Sequence, residues 1–275
     1  MSVKFKESVK TLLKILSEKS TVFLTKRCNE SIRIAMEMAK SQGRLHALFQ
    51  DEGGWLTYEK FIKKAGLEPI VMVTSDGLIH PKELDHYGGD EVLLINSLAG
   101  YFASQDMDLI NTFCVKKDIL LVNDISGSIG LEISKFGDII VGSFGKGKPV
   151  DLGSGGFIAF DDEFLPLFES VVGEDFSDYN LDFEKLYSKL KNLSSRRSFL
   201  NDRCKKIKSD LKDLPIVHKT DDSALNVVVR FFNDDEKKFL ENYCKNNSLE
   251  YTVCPREIRI DDDAISIEVK RLKQD

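Results

Sequence analysis

Three short apolar runs in this sequence are each followed by side chains that could take part in catalysis. Asp124 and Ser126 come just after one run, and Ser143 follows another, five residues before Lys148 in a glycine-rich stretch. The third run leads into residues 25–31, where hydroxyl, thiol and amide groups stand at the start of a helical pattern. A lysine amine can attack a carbonyl carbon, and a helix start can bind an anion such as phosphate. Ligands of open α/β sheets bind at the carboxyl ends of the strands, so these groups are expected to converge on one site.

The elements that would position these side chains alternate along the chain up to about residue 160. An opening helix is predicted over residues 3–19, and further helices over 31–40, 55–65 and 107–116. Seven short apolar runs predict strands, at residues 22–24, 45–49, 69–73, 92–95, 119–122, 139–141 and 157–160. This alternation is typical of an α/β three-layer sandwich with a mostly parallel seven-stranded sheet, and it leaves room for one antiparallel strand.

The pattern changes after Asp161 and predicts a second, smaller unit. Residues 163–213 have helical spacing with a long charged stretch, and residues 234–246 predict another helix. Short apolar or alternating segments predict four more strands, at residues 225–231, 249–253, 257–260 and 264–270. We therefore expect a large domain over residues 1–162 and a small C-terminal α+β domain over residues 163–275.

The composition is that of an ordinary globular protein and argues against several kinds of function. The hydrophobic share is 42%, and a net charge of −6 gives no reason to expect a nucleic acid or an anionic membrane as partner. No apolar run approaches the ~18–20 residues that span a bilayer. The five cysteines form no C-x-x-C pair and the four histidines show no metal-ligand spacing, so neither metal nor disulfides are expected. A cytoplasmic location fits these features.

Two blocks of the sequence resemble the fold-type-I enzymes that use pyridoxal 5'-phosphate (PLP), the aspartate aminotransferase superfamily. The first block is the segment around Asp124. In the second, Ser143 precedes Lys148 by five residues, and a Gly-x-Gly-Gly turn begins five residues later at Gly153. This arrangement is most similar to the DegT-like aminotransferases. The resemblance implies a PLP-dependent aminotransferase that carries its cofactor as a Schiff base on Lys148.

The resemblance also implies roles for other residues. Asp124 would keep the pyridine nitrogen of PLP protonated, which the cofactor needs in order to draw electrons from a substrate. Trp55, the only tryptophan, would cover the face of the ring. Arg256 and Arg259 are candidates to bind a substrate carboxylate, because type-I enzymes hold such an arginine in the small domain. The phosphate would be held at the helix start, by Cys28 and Asn29, and by the hydroxyl of Ser143, and Ser126 is a further candidate to bind the cofactor.

Departures from the DegT-like pattern leave alternatives open. Cys28 and Asn29 stand where the family usually has Gly-Thr. Gly127 replaces a Gln or Glu that lies near the phenolic oxygen of the cofactor, and Gly145-Lys146 replaces His-Pro. Lys146 competes with Lys148, because many amino-acid aminotransferases place the lysine three residues after the serine. A PLP-dependent lyase or a selenocysteine-synthase-like or sulfur-handling enzyme is one alternative, and a degenerate relative that serves as a binding protein is another.

The resemblance further implies a homodimer acting on a small amino donor and acceptor, since type-I sites are typically completed by a second subunit. The N-terminal helix and the segments around Trp55 and residues 100–102 are expected to contribute to the interface.

The choice between the two lysines can be tested by substitution. Lys148→Ala is expected to abolish the absorbance of lysine-bound PLP near ~420 nm, because this lysine would form the bond to the cofactor. Lys146→Ala is expected to retain the band. Spectra of both purified variants with added PLP check this, and loss of the band in the Lys146 variant alone would favour the shorter serine-to-lysine spacing.

Overall fold

The predicted alternation of apolar runs and amphipathic segments forms a seven-stranded sheet with helices on both faces. The structure is a computed structural model that describes residues 2–274. All seven predicted strands of the large sheet are present. A two-residue pair, β5 and β6, forms a separate hairpin. In chain order the strands are β1 (Thr21–Thr25), β2 (His46–Gln50), β3 (Glu68–Met72), β4 (Glu91–Asn96), β5 (Leu98–Ala99), β6 (Ala103–Ser104), β7 (Leu120–Asp124), β8 (Ile139–Ser143) and β9 (Gly156–Phe160).

The strand order brings the carboxyl ends of most strands to one edge. The order across the sheet is β1-β9-β8-β7-β4-β2-β3. β9 is antiparallel to both of its neighbours, and every other pair of neighbours is parallel. The prediction of a mostly parallel sheet is therefore confirmed, and β1, β4, β7 and β8 all end at the same edge.

Helices cover both faces of the sheet because successive side chains of a strand point to opposite sides. Ile139 and Val141 of β8 pack in one apolar cluster with the second, third and fifth helices. Ile140 lies between them in sequence and packs on the other face with the first and sixth helices. The three-layer sandwich is thus confirmed. Its helices are α1 (Ser2–Ser17), α2 (Cys28–Ser41), α3 (Tyr58–Lys64), α4 (Met107–Lys117), α5 (Leu165–Val172) and α6 (Phe183–Lys191).

A small antiparallel sheet with two helices follows the large sheet. Its strand order is β10-β12-β11. Leu200 and Ile207 of one helix and Leu240 of the other pack against this sheet. The elements are α7 (Leu193–Asp210), β10 (Val227–Arg230), α8 (Asp234–Asn246), β11 (Tyr251–Cys254) and β12 (Ala264–Ile267).

The strand predicted over residues 257–260 is wrong, because this segment forms a turn. The backbone N–H of Arg259 donates to the carbonyl of Arg256 at 2.7 Å. The carbonyl of Glu257 accepts a hydrogen bond from Gly53 N–H at 2.8 Å, which ties the turn to the large sheet. The alternation of apolar residues here reflects burial against other elements and not pairing with a neighbouring strand.

Helices α5 and α6 lie beyond residue 162 but pack on the large sheet. The ring of Phe168 in α5 stacks on Phe23 with a centroid distance of 4.3 Å. Leu186 of α6 packs in the same cluster as Leu13 of α1. Residues 173–182 interrupt the helical stretch predicted over 163–213. The division into domains at residue 162 stays a prediction, and this packing favours a later boundary near the start of α7.

Within residues 2–274, no helix is long and apolar enough to cross a membrane. The same part of the chain contains no group of three or more His, Cys, Asp or Glu side chains that could hold a metal ion.

Candidate active site

The strand ends border a cavity of about 290 Å³, near the lower limit for small-molecule sites. A larger open cavity, of about 1290 Å³, is lined by charged side chains of both signs and contains neither Asp124 nor Lys148. We take the smaller cavity as the candidate site because it holds the buried chemical groups. The predicted residues that line it are Cys28, Asn29, Trp55, Asp124, Ser126, Ser143 and Lys148.

The amine of Lys148 lies between two aromatic rings. Its Nζ is 5.3 Å from the centroid of the Trp55 ring and 4.6 Å from that of Tyr101. It also donates a hydrogen bond to the Tyr101 hydroxyl. Burial by itself would lower the pKa of Lys148, but the interactions with Tyr101, and further the charge of Asp124, outweigh it and raise this pKa. The lysine is therefore held in one place and stays charged in the free cavity.

Lys146 has different surroundings. Its side chain is exposed and borders both the candidate site and the larger cavity. Within residues 2–274 it forms no side-chain hydrogen bond, whereas Lys148 is bonded to Tyr101. The geometry supports Lys148 as the cofactor lysine, and the assignment itself stays a prediction.

The carboxylate of Asp124 is buried at the end of β7 and held by two hydrogen bonds. Tyr58 Oη donates to its Oδ2 at 2.8 Å, and the backbone N–H of Ser126 donates to its Oδ1 at 3.0 Å. A carboxylate has about four lone pairs, so it can still accept a further hydrogen bond from a cationic N–H. Burial and the neighbouring Asp124 raise the pKa of Tyr58 well above its usual value, so this phenol remains a donor.

The start of α2 meets the Gly-x-Gly-Gly turn at the border of the cavity. Arg27 and Gly155 form an isolated parallel β-bridge. A Cβ atom on Gly156 would lie 2.5 Å from the backbone nitrogen of Cys28, so only glycine allows β9 to approach the helix this closely. The N–H of Glu30 bonds to the Arg27 carbonyl at 2.9 Å, while the N–H groups of Cys28 and Asn29 at the helix start have no partner within the helix. The thiol of Cys28 lies 3.7 Å from the Ser126 hydroxyl. Two motifs far apart in the sequence thus meet at one corner of the cavity.

Two of the predicted cofactor residues contact each other. The indole Nε1 of Trp55 donates a hydrogen bond to Asn29 Oδ1 at 2.9 Å. This contact uses the carbonyl oxygen of Asn29 and leaves its amide N–H groups for a ligand. The hydroxyl oxygen of Ser143 accepts from the backbone N–H of Gly145 at 3.1 Å, which leaves its own hydrogen for donation.

Neither predicted carboxylate-binding arginine lines the cavity. Arg256 is exposed immediately before the 257–260 turn. Arg259 is buried and forms an ion pair with Glu268, with an Nη2–Oε2 distance of 2.8 Å. Lys270 is also bonded to Glu268. The substrate role of these arginines stays a prediction that the geometry does not support, because the guanidinium of Arg259 is already committed to the buried Glu268.

The Arg259–Glu268–Lys270 cluster is a strong electrostatic feature of the small sheet. Burial alone would raise the pKa of Glu268, but the charges of Arg259 and Lys270 outweigh it and lower this pKa to about 2. Burial and the neighbouring Arg259 lower the pKa of Lys270 well below its usual value. The cluster therefore places one buried carboxylate between the Arg259 guanidinium and the Lys270 amine.

Sequence reasoning missed Asn96, Tyr58 and Tyr101. Asn96 ends β4, Tyr101 follows it, and both line the cavity, so inspection of the end of this strand, as of the others, would have found them. The expectation that residues 100–102 contribute to a dimer interface is wrong. Tyr101 and Phe102 are 3% and 1% exposed, since the short hairpin of β5 and β6 packs them inside the chain.

A comparison with known families supports the resemblance to the DegT-like aminotransferases. Residues 78–167 match the model of the DegT/DnrJ/EryC1/StrS aminotransferase family. This stretch contains Asp124, Ser143, Lys148 and the Gly-x-Gly-Gly turn, so the predicted resemblance is confirmed. No curated protein sequence is significantly similar to the chain.

Solved structures of PLP enzymes share the fold over nearly the whole chain. The structure of 3-amino-5-hydroxybenzoic acid synthase is similar with a TM-score of 0.74 at 13% identity, covering 97% of this chain and 85% of that one. A DegT/DnrJ/EryC1/StrS aminotransferase of Brucella abortus has a TM-score of 0.74 at 14% identity, covering 96% and 84%. The serine palmitoyltransferase of Sphingomonas wittichii has a TM-score of 0.70 at 12% identity, covering 96% and 70%. The chain therefore has the fold of the fold-type-I PLP enzymes. Within that fold, residues 78–167 carry the DegT-like aminotransferase pattern.

The buried cluster predicts a pH-dependent stability. Glu268→Gln is expected to lower the free energy of unfolding by about 3 kcal/mol at pH 7, because it leaves Arg259 and Lys270 without their carboxylate. A lowered pKa of Glu268 in the folded state stabilises the fold above the ordinary glutamate pKa of 4.5, and this contribution is lost as pH falls toward about 2. The difference between wild type and variant should therefore shrink between pH 7 and pH values near ~3.

Urea unfolding at both pH values measures this difference. Glu250→Gln is the matched control, since Glu250 forms a surface ion pair with Arg271 and should matter by less than about 1 kcal/mol. An equal loss for Glu268→Gln at both pH values would contradict the electrostatic explanation.

Proposed function

We propose that this chain is a PLP-dependent aminotransferase in which Lys148 carries the cofactor. One observation supports this above all: a single cavity brings together Lys148, the buried Asp124 and the start of α2. These are the groups that the aldehyde, the ring nitrogen and the phosphate of PLP require.

Asp124 would hold the proton on the ring nitrogen. When bound, PLP supplies an electron sink for the bonds around the substrate amino group. The hydrogen bonds from Tyr58 and from Ser126 N–H fix both oxygens of the Asp124 carboxylate. The ring N–H of bound PLP would therefore meet an acceptor that does not have to reorganise. This preorganisation favours binding of the protonated ring.

The corner between α2 and the Gly-x-Gly-Gly turn would hold the phosphate. Its donors would be the N–H groups of Cys28 and Asn29 at the start of α2 and the hydroxyls of Ser126 and Ser143. Cys28 replaces a glycine of the family pattern at this corner. Burial, and then the charge of Asp124, raise the pKa of Cys28 well above its usual value, so its thiol stays neutral and does not repel a phosphate.

Lys148 is the residue that could move a proton within the cavity. Its amine lies beside Tyr101 and Trp55, and no carboxylate is bonded to it among residues 2–274. An amine without such a partner can release and take up a proton next to a bound substrate.

The proposal is tested by the spectrum of the protein with PLP. We expect a band near ~420 nm that borohydride bleaches, and a shift toward ~330 nm with the correct amino donor from a panel of amino acids. Asp124→Asn should fold normally and lose about 100-fold or more in turnover. Asp85→Asn, an exposed position, is the control and should match wild type.

Other outcomes of this experiment would select the alternatives. A band with release of a keto acid or a sulfur compound, but no shift to ~330 nm, would favour a lyase or a sulfur-handling enzyme. Absence of any band would favour a binding protein that keeps only the fold. A fully active Asp124→Asn variant would reduce Asp124 to a turn-forming residue.

We also propose a homodimer in the cytoplasm. The cavity border includes the exposed residues Arg27, Gly153 and Ser154, and a phosphate held there would be better shielded from water under a second subunit. The N-terminal helix and the Trp55 segment are the proposed contributors. Five free buried thiols suit a reducing compartment, which cell fractionation would test.

The assembly prediction can be checked by light scattering at micromolar concentration. We expect about twice the monomer mass of 31.1 kDa, with an interface on the order of 2,000 Å² or more. A monomer that still binds PLP tightly would contradict a shared site.

A further inference from the structure

Tyr101 is fixed at the cavity by the small unit. It lies in the hairpin between β5 and β6 with a left-handed backbone, φ +68°. A non-glycine residue adopts this conformation only where its surroundings impose it. The carbonyl of Tyr101 accepts two backbone hydrogen bonds, from Leu225 N–H at 2.8 Å and Asn226 N–H at 2.9 Å. These two donors directly precede β10, so the small sheet holds Tyr101 in place.

The ring of Tyr101 fills the space beside the loop that follows Asp124. A Cβ atom on Gly127 would lie 2.9 Å from this ring, which is closer than real Cβ contacts. A side chain three residues after Asp124 therefore cannot coexist with Tyr101 in its present place. The phenol takes the position that such a side chain would enter.

The hydroxyl of Tyr101 has an unused hydrogen. Its oxygen accepts a hydrogen bond from Lys148 Nζ. Burial raises the pKa of Tyr101 in spite of the neighbouring Lys148, so the group is a phenol at neutral pH. A phenol can donate one hydrogen bond as well as accept, and no acceptor among residues 2–274 is bonded to this hydrogen. Tyr101 lines the cavity, so an acceptor on a bound molecule is within its reach.

We propose that Tyr101 positions Lys148 and donates its phenolic hydrogen to an ionised oxygen beside the carbonyl group that Lys148 binds. If the proposed function holds, this oxygen is the phenolic oxygen of PLP. Tyr101 then takes over, from a different part of the sequence, the place left empty by Gly127.

The cations Lys148 and Arg259 lie near the ring and strengthen the phenol as a donor. The Nζ atom of Lys148 lies 4.6 Å from the ring centroid, and the Arg259 guanidinium lies at 5.6 Å. Nearby positive charge favours electron withdrawal from the O–H group and so a stronger bond to an anionic acceptor.

The first test is a pH titration of the ~420 nm band in Tyr101→Phe. The hydrogen bond from Tyr101 stabilises the deprotonated, high-pH form, in which the phenolic oxygen of PLP carries its negative charge without a shared proton. Loss of this bond should therefore raise the midpoint pH of the titration by about one unit. Gly127→Ala should shift it in the same direction, because the new methyl group displaces the ring while the hydroxyl remains. Tyr243→Phe removes a hydroxyl that is bonded to Asp210 and does not line the cavity, so it should leave the midpoint unchanged.

The second test does not need PLP. Salicylaldehyde carries a phenolic oxygen beside its aldehyde and benzaldehyde does not. Labelling of Lys148 by each aldehyde is trapped with borohydride and counted by mass spectrometry. The preference of the wild type for salicylaldehyde should fall by about 10-fold in Tyr101→Phe and stay unchanged in Tyr243→Phe.

The outcomes separate this inference from the proposed function. A wild type without a PLP band that still loses its salicylaldehyde preference in Tyr101→Phe would refute the function and keep the role of Tyr101. An unchanged midpoint and an unchanged preference in Tyr101→Phe would overturn the inference. Failure of both aldehydes to label wild-type Lys148 would overturn it as well, since Tyr101 would then not hold an accessible amine.

Discussion

The close contact between β9 and the start of α2 is the constraint on which the candidate site depends. β9 is antiparallel to both neighbours, so the chain must reverse after β8, and Lys148 lies in the loop that makes this reversal. At Gly156 the returning strand passes so near Cys28 N that a Cβ would lie at 2.5 Å. The contact fixes the lysine loop against the helix start. A larger residue at position 156 would move β9 and the Lys148 loop away from the start of α2.

The charges of the site are balanced between the two units of the chain. Asp124 and its donor Tyr58 come from the large sheet and α3. Lys148 is held by Tyr101, whose backbone is bonded to Leu225 and Asn226 at the edge of the small unit. The small unit therefore positions the lysine through the Tyr101 phenol. Arg259 and Lys270 of the buried cluster lie 5.6 Å and 4.6 Å from the centroid of the Tyr101 ring. This makes the small sheet part of the electrostatics of the site even though neither predicted arginine reaches the cavity.

The departures from the DegT-like pattern are compensated in space. Cys28 brings a sulfur atom into the corner where the family has glycine, and the surroundings keep this thiol neutral. Gly127 removes a side chain beside Asp124, and the Tyr101 ring occupies the space. These two changes are thus paired with neighbours that are distant in sequence. This pairing is consistent with a site that still binds a phosphorylated aromatic aldehyde, and it explains why short motifs alone left several alternatives open.

The layers of the large sheet and the positions of the main chemical groups along it follow from the sequence alone. Continuous apolar strands such as residues 119–122 and the polar residues that follow them are local signals, because burial on both sheet faces demands them. Asp124, Ser143 and Lys148 could be named for this reason. The fold in three dimensions was needed to show that 257–260 is a turn, that Arg259 pairs with Glu268 and that Tyr101 contacts Lys148. These depend on contacts between residues far apart in the chain, where packing and buried charge outweigh local pattern, and no spacing within one segment encodes them.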